Sequence, residues 1–141
     1  MSELATMDVM QSVVTSTTTT KKASNAKPVA RPKAMTMVID GEIGRDEMAE
    51  IGEMLITLSM DGVTDLVIDL KGVTHLDYRA VPALVRRAEV FRATGGDIKL
   101  ANLSSYLFTI FQAAGAHDDF DYFADVADAQ RAFRDAVMVQ G

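Results

Sequence analysis

Six consecutive residues, His75-Leu76-Asp77-Tyr78-Arg79-Ala80, concentrate the side-chain chemistry of this chain. A histidine two residues from an aspartate and next to a tyrosine hydroxyl suits a general base with an acidic orienter, which would make a small enzyme of His75, Asp77 and Tyr78. The same stretch suits protein recognition, because Tyr and Arg are enriched at the energetic centres of interfaces. A solvated loop histidine leaves the same pattern, and neither a nucleophile nor metal-ligand spacing accompanies His75. The second histidine, in Ala116-His117-Asp118-Asp119, has no other histidine at ligand spacing and reads as a loop residue after a helix end. Phe108 joins Tyr78 and Arg79 as a candidate exposed anchor.

Other chemistries lack their residues. No GxxxxGK[ST] and no GxGxxG after a strand is present, and Gly95-Gly96 follows a helix, where it caps and does not cradle phosphate. A phosphorylated-aspartate receiver needs an acidic pair after its first strand. Here Asp40 stands alone, and Asp69 lies inside an apolar strand between Ile68 and Leu70. With no cysteine there is no disulfide, thiolate metal site or cysteine nucleophile. These readings imply no cofactor and no metal.

The elements that must position the six residues are legible around them. Leu66-Val67-Ile68-Asp69-Leu70 is a near-continuous apolar run, as expected of a strand buried on both faces. A helix follows from about Val81 to Ala93, with Val81, Leu84, Val85, Ala88 and Phe91 toward the sheet and Arg86, Arg87, Glu89 and Arg92 toward water. Its start is set by Pro82, tolerated only in a first helical turn, so Tyr78-Arg79 falls in the loop. Gly95 caps it, and Ile98–Ala101 is the next strand. This strand–helix–strand order argues a parallel sheet, in which the exposed turn at the carboxyl end of a strand is the usual place for function.

The flanking elements extend the pattern. Met35–Ile39 reads as a first strand broken by Gly41-Glu42-Ile43-Gly44. A helix from about Asp46 to Met60 buries Met48, Ile51, Leu55 and Leu58, and Gly62 ends it. After Ala101, Ser104 or Ser105 caps a short helix with Leu107, Ile110, Phe111 and Ala114 inward, stopped by Gly115. Phe120–Phe123 is a last strand, and Asp125 caps a final helix with Val126, Ala129, Phe133 and Val137 inward. The predicted fold class is α/β: a mixed, mostly parallel sheet of four to five strands with about four helices.

The 141-residue chain carries a formal charge of −6, unevenly spread. Residues 1–33 hold five cations against two carboxylates, a net +3, which leaves −9 on the rest. A globular part that acidic repels phosphate backbones, so nucleic acid is not an expected partner. The Thr-rich block Thr15–Thr20 beside Lys21-Lys22, followed by Pro28 and Pro32, marks residues 1–33 as a disordered low-complexity tail before a domain spanning 34–141. Within it, Val9–Val14 could add a short edge strand. Glu3 and Asp8 argue against a signal peptide, and no stretch reaches the ~20 apolar residues of a membrane span, which points to a cytoplasmic protein.

From about residue 35 to 135 the chain resembles a STAS domain, the module of anti-sigma-factor antagonists and of sulfate-transporter tails. Asp69 and Asp77 stand at the two aspartates of the family pattern. Gly95-Gly96, Leu100-Ala101-Asn102-Leu103, Ala114-Gly115 and Asp125-Val126-Ala127-Asp128-Ala129 stand at its later landmarks. The resemblance implies a non-catalytic protein–protein interaction module of bacterial signalling. It places the partner-binding surface on Asp77, Tyr78, Arg79 and Ala80. It also implies a protein partner, either an anti-sigma or kinase-like regulator or an assembly subunit; a homodimer is compatible with it. STAS proteins serve too as structural subunits of transporters and signalling assemblies. One departure matters: antagonists carry a phosphorylated serine directly after the second aspartate, and here that position is Tyr78, followed by Arg79 and Ala80 in place of Ser/Thr and Gly.

Overall fold

The computed structural model describes residues 33–140. The elements are β1 (Ala34–Ile43), α1 (Arg45–Met60), β2 (Asp65–Leu76), a 3-10 turn (Tyr78–Ala80), α2 (Val81–Ala93), β3 (Asp97–Ala101), α3 (Ser105–Ala113), β4 (Asp121–Phe123) and α4 (Val126–Gln140). The four described strands form one sheet in the order β1-β2-β3-β4, and every pairing is parallel. The α/β class holds; four strands are present, and the expected mixture of directions is absent among the described residues. The candidate strand Val9–Val14 lies outside them.

Alternation along the strands divides the two sheet faces. Leu66, Ile68, Ile98 and Leu100 point into the main core with Met48, Ile51 and Leu55 of α1, Leu84, Ala88 and Phe91 of α2, and Leu107 and Phe111 of α3. Val67 and Ala101 point the other way, onto Ala129 of α4, with Phe123, Val126 and Phe133 at the edge. The glycine stops fall as expected: Gly62, Gly95 and Gly115 follow α1, α2 and α3 with φ of +90°, +100° and +74°. Gly96 answers a different need, since a Cβ there would sit 2.6 Å from the Phe91 ring and 2.9 Å from the Thr64 carbonyl.

Three sequence expectations change. The first strand does not stop at Ile39. It continues to Ile43 through register shifts at Val38/Asp40 and Gly41/Glu42, and Gly41, at φ +86°, supplies the left-handed residue. The central strand likewise runs on to Leu76, so His75 and Leu76 belong to a strand and not to the turn. Arg92, expected to face water, is drawn inward: its Nε donates to Asp97 Oδ1 at 2.8 Å, an NH2 donates to the Asp119 carbonyl at 2.8 Å, and its guanidinium lies 5.3 Å from the Phe120 ring centre. A helical wheel cannot see partners supplied by β3 and by the loop before β4.

Candidate functional site

The site is built where β2 outruns its neighbour. Pairing with β3 ends at Asp69↔Ala101, whereas pairing with β1 continues through Asp40↔Gly72 to Ile43↔Leu76. The upper half of β2, residues 71–76, is therefore held on one side only by β1. A polar knot marks the departure point. Asp69 Oδ1 accepts Asn102 Nδ2–H at 2.8 Å and the Lys71 amide at 3.0 Å. Asn102 sits in the left-handed region at φ +60°, where Asn is the best-tolerated side chain after Gly, and its own amide donates to the Phe123 carbonyl at 3.1 Å. Gly72 makes room beside this knot for the Asp40 carboxylate, which would have to move aside for a Cβ there.

Val73 and Leu76 bury their side chains and anchor this projecting arm, while Thr74 and His75 are exposed. The last rung is the Asp77 amide donating to the Ile43 carbonyl at 2.9 Å. Asp77 then shapes the turn. Its Oδ1 accepts the Arg79 amide at 2.9 Å and Arg79 Nε at 3.2 Å, and its Oδ2 accepts an Arg79 NH2 at 3.0 Å. The Arg79 side-chain and backbone hydrogen bonds, with lesser help from Arg45, hold the Asp77 carboxyl below its ordinary pKa of 3.8. The fork-on-carboxylate geometry fixes both side chains and leaves Tyr78 between them, 53 % exposed. Ala80, expected to touch a partner, is 3 % exposed and seats the turn in the core instead. Helix α2 starts at Val81, with Pro82 in its first turn as expected.

The histidine–aspartate–tyrosine constellation does not assemble. His75 Nδ1 shares a 2.6 Å hydrogen bond with the Tyr106 hydroxyl, with the two rings 5.9 Å apart, and both Asp77 oxygens are occupied by Arg79. Tyr106 is the residue that sequence reasoning missed. Ser104, not Ser105, caps α3 by accepting the Leu107 amide at 3.1 Å, and the second residue of that helix then points outward beside the β2 arm. The available signal was an aromatic residue left outside the inward set Leu107, Ile110, Phe111 and Ala114. Phe108 is not presented: its ring packs edge-on against Tyr122 at 5.2 Å. His117 lies away from the site; its carbonyl accepts the Tyr122 hydroxyl at 2.8 Å, and its Nε2 is 3.6 Å from Asp118. Among the described residues no group of three or more His, Cys, Asp or Glu could hold a metal, and no helix is long and apolar enough to cross a membrane. What the surface can do is stack and hydrogen-bond through Tyr78, Tyr106 and His75 on a rigid frame.

Residues 25–129 match the STAS domain family. The anti-sigma-B factor antagonist of Bacillus subtilis (strain 168) is 34% identical over 86 residues, covering 61% of this chain and 78% of that protein. Among solved structures, the anti-sigma factor antagonist SpoIIAA in its unphosphorylated form superposes with a TM-score of 0.63 at 19% identity, covering 75% of this chain and 92% of that one. A sulfate transporter family protein from Wolinella succinogenes gives 0.62 at 14% identity, covering 84% and 97%.

Proposed function

The chain belongs to the STAS domain family, and we propose that it is a non-catalytic protein–protein interaction module of bacterial signalling, akin to the anti-sigma-factor antagonists, that docks a regulator through Asp77, Tyr78 and Arg79 seated on Ala80. The observation that carries this reading is the Asp77–Arg79 fork, which closes the turn on itself and leaves Tyr78 out in solvent. A turn whose backbone is fixed in advance loses little conformational freedom on binding, and it presents an exposed aromatic ring, which is what an interface anchor needs. The acidic balance of the chain favours a protein partner over nucleic acid.

The serine of the antagonist switch is absent from this turn, so binding is constitutive with respect to that position. A phosphate there would add about −1.5 to −2 charge next to Asp77. Full-length protein and its Tyr78→Ala and Arg79→Ala variants, used as baits in native-cell extract, test the reading. An anti-sigma or kinase-like regulator should be retained by the wild type and lost by both variants. Recovery of a transporter subunit would place the chain among structural STAS subunits, and retention by all three baits would remove the turn from the interface. Phosphosite mapping closes the other gap: stoichiometric phosphate on Tyr78 or Thr74 that abolishes binding would mean the switch was moved and not lost.

A further inference from the structure

Five large apolar side chains are exposed among the described residues. Tyr78 and Tyr106 belong to the site above; the other three, Ile56 (38 % exposed), Met60 (80 %) and Val90 (54 %), lie on the outer faces of α1 and α2. Two contacts fix how these helices sit. The Ser59 and Thr94 hydroxyls are 3.2 Å apart, and the Arg87 side chain crosses so close over Gly52 that a Cβ there would sit 2.9 Å from its Nε. Both contacts join residues 35 apart in number, so the helices run parallel and in step. On that scale Ile56 is level with residue 91, one step from Val90, and Glu53 is level with residue 88, two steps from Arg86, offsets of about 1.5 Å and 3 Å.

The outward stripe of α1 is Glu53, Ile56, Thr57 and Met60; that of α2 is Arg86, Glu89, Val90 and Ala93. An apolar strip is thus bordered by Glu53 on α1 and by Arg86 on α2, with Glu89 three residues further along α2. Among the described residues, Glu53 and Arg86 form no ion pair within the chain. A two-fold axis laid along the seam, parallel to both helices, would set α1 of one copy against α2 of the other at unchanged height. Ile56 would then meet Val90 of the second copy, and Glu53 would meet Arg86, twice over by symmetry. An axis across the helices would instead set α1 on α1 and α2 on α2, without the Glu53–Arg86 pairs.

We propose that this α1–α2 face is a homodimer surface, with Ile56, Met60 and Val90 at its centre and reciprocal Glu53–Arg86 pairs at its border. It occupies the helix faces and not the turn that carries Tyr78, so a dimer would display both docking turns. Sedimentation velocity on the full-length chain from ~1 μM to ~1 mM tests it. Wild type should dimerise within that range. Val90→Glu should leave monomer with an unchanged melting temperature. Glu53→Arg and Arg86→Glu should each weaken the dimer about tenfold or more, and the double reversal Glu53→Arg/Arg86→Glu should return it to within about threefold of wild type. A wild type that is monomeric throughout, a dimer indifferent to Val90→Glu, or a double reversal no better than the singles would overturn the proposal.

Discussion

The two ends of the sheet use charge in opposite ways. Where the strands begin, Arg92 of α2 reaches Asp97 of β3 and the carbonyl of Asp119. Nearby, Lys99 Nζ lies 3.5 Å from Asp97, 3.2 Å from Asp121 of β4 and 4.6 Å from the Phe133 ring centre on α4. Each cation there ties separate elements together, Lys99 buried and Arg92 half-buried, where hydrogen bonds to charge are strong. Where β2 ends, the ion pair joins Asp77 to Arg79, only two residues away, and fixes the shape of an exposed turn. Contacts that cross between elements brace the fold, and a pair within one turn sculpts a surface. Mutations at the two ends should therefore separate stability from binding.

The largest loss should come from the bracing end. Phe91 is fully buried on the inner face of α2 and packs onto Gly96, so Phe91→Ala should cost about 3–5 kcal/mol of unfolding free energy in a urea titration. A cost below ~1 kcal/mol would mean that this part of the core is loosely built. Arg92→Ala should cost about 1–3 kcal/mol, because it strands Asp97 and the Asp119 carbonyl half-buried. Arg79→Ala, by contrast, should leave the melting temperature where it was. Equal losses at the two arginines would erase the contrast.

Two titrations sharpen it further. Burial works against ionisation of Asp97, but the Arg92 hydrogen bond, the Ile98 amide and Lys99 outweigh it and hold the pKa below its ordinary 3.8. A depressed carboxylate adds stability above the unfolded value and loses it as pH falls through the folded one. Asp97→Asn should therefore flatten the acid limb of the stability curve below about 3.8. Asp65, raised mainly by burial, works in the opposite sense. Burial also pushes the Tyr122 hydroxyl up to about 12, with Asp119 and Asp118 adding to the rise. A raised pKa contributes stability below the unfolded value of 10 and loses it as pH climbs to about 12, so Tyr122→Phe should remove that alkaline decline. An identical decline in Tyr122→Phe would assign it to other groups.

The elements were legible because their signals are local. The apolar run Leu66–Leu70, the Pro82 start and Gly95 stop of α2, and the inward face of α3 each depend on residues a few positions apart. What escaped was non-local. The extension of β1 and β2 past Ile39 and Leu70 follows from their pairing with each other through two register shifts, which no single segment announces. The Asp69–Asn102 knot and the His75–Tyr106 bond span 33 and 31 residues. Ala80 reads as part of an exposed loop until the turn is seen pressing it into the core. The Tyr78–Arg79 surface was visible; its neighbour Tyr106 needed the fold.

The separation of binding from stability is tested most directly at Tyr78. Isothermal titration of the regulator recovered from native cells into wild type and Tyr78→Ala, paired with a thermal melt of the same two preparations, reads both quantities at once. The expected result is a loss of on the order of 2 kcal/mol in binding, roughly thirtyfold in Kd, with the melting temperature unchanged. An unchanged Kd, or a melting temperature that falls in step with the affinity, would contradict it.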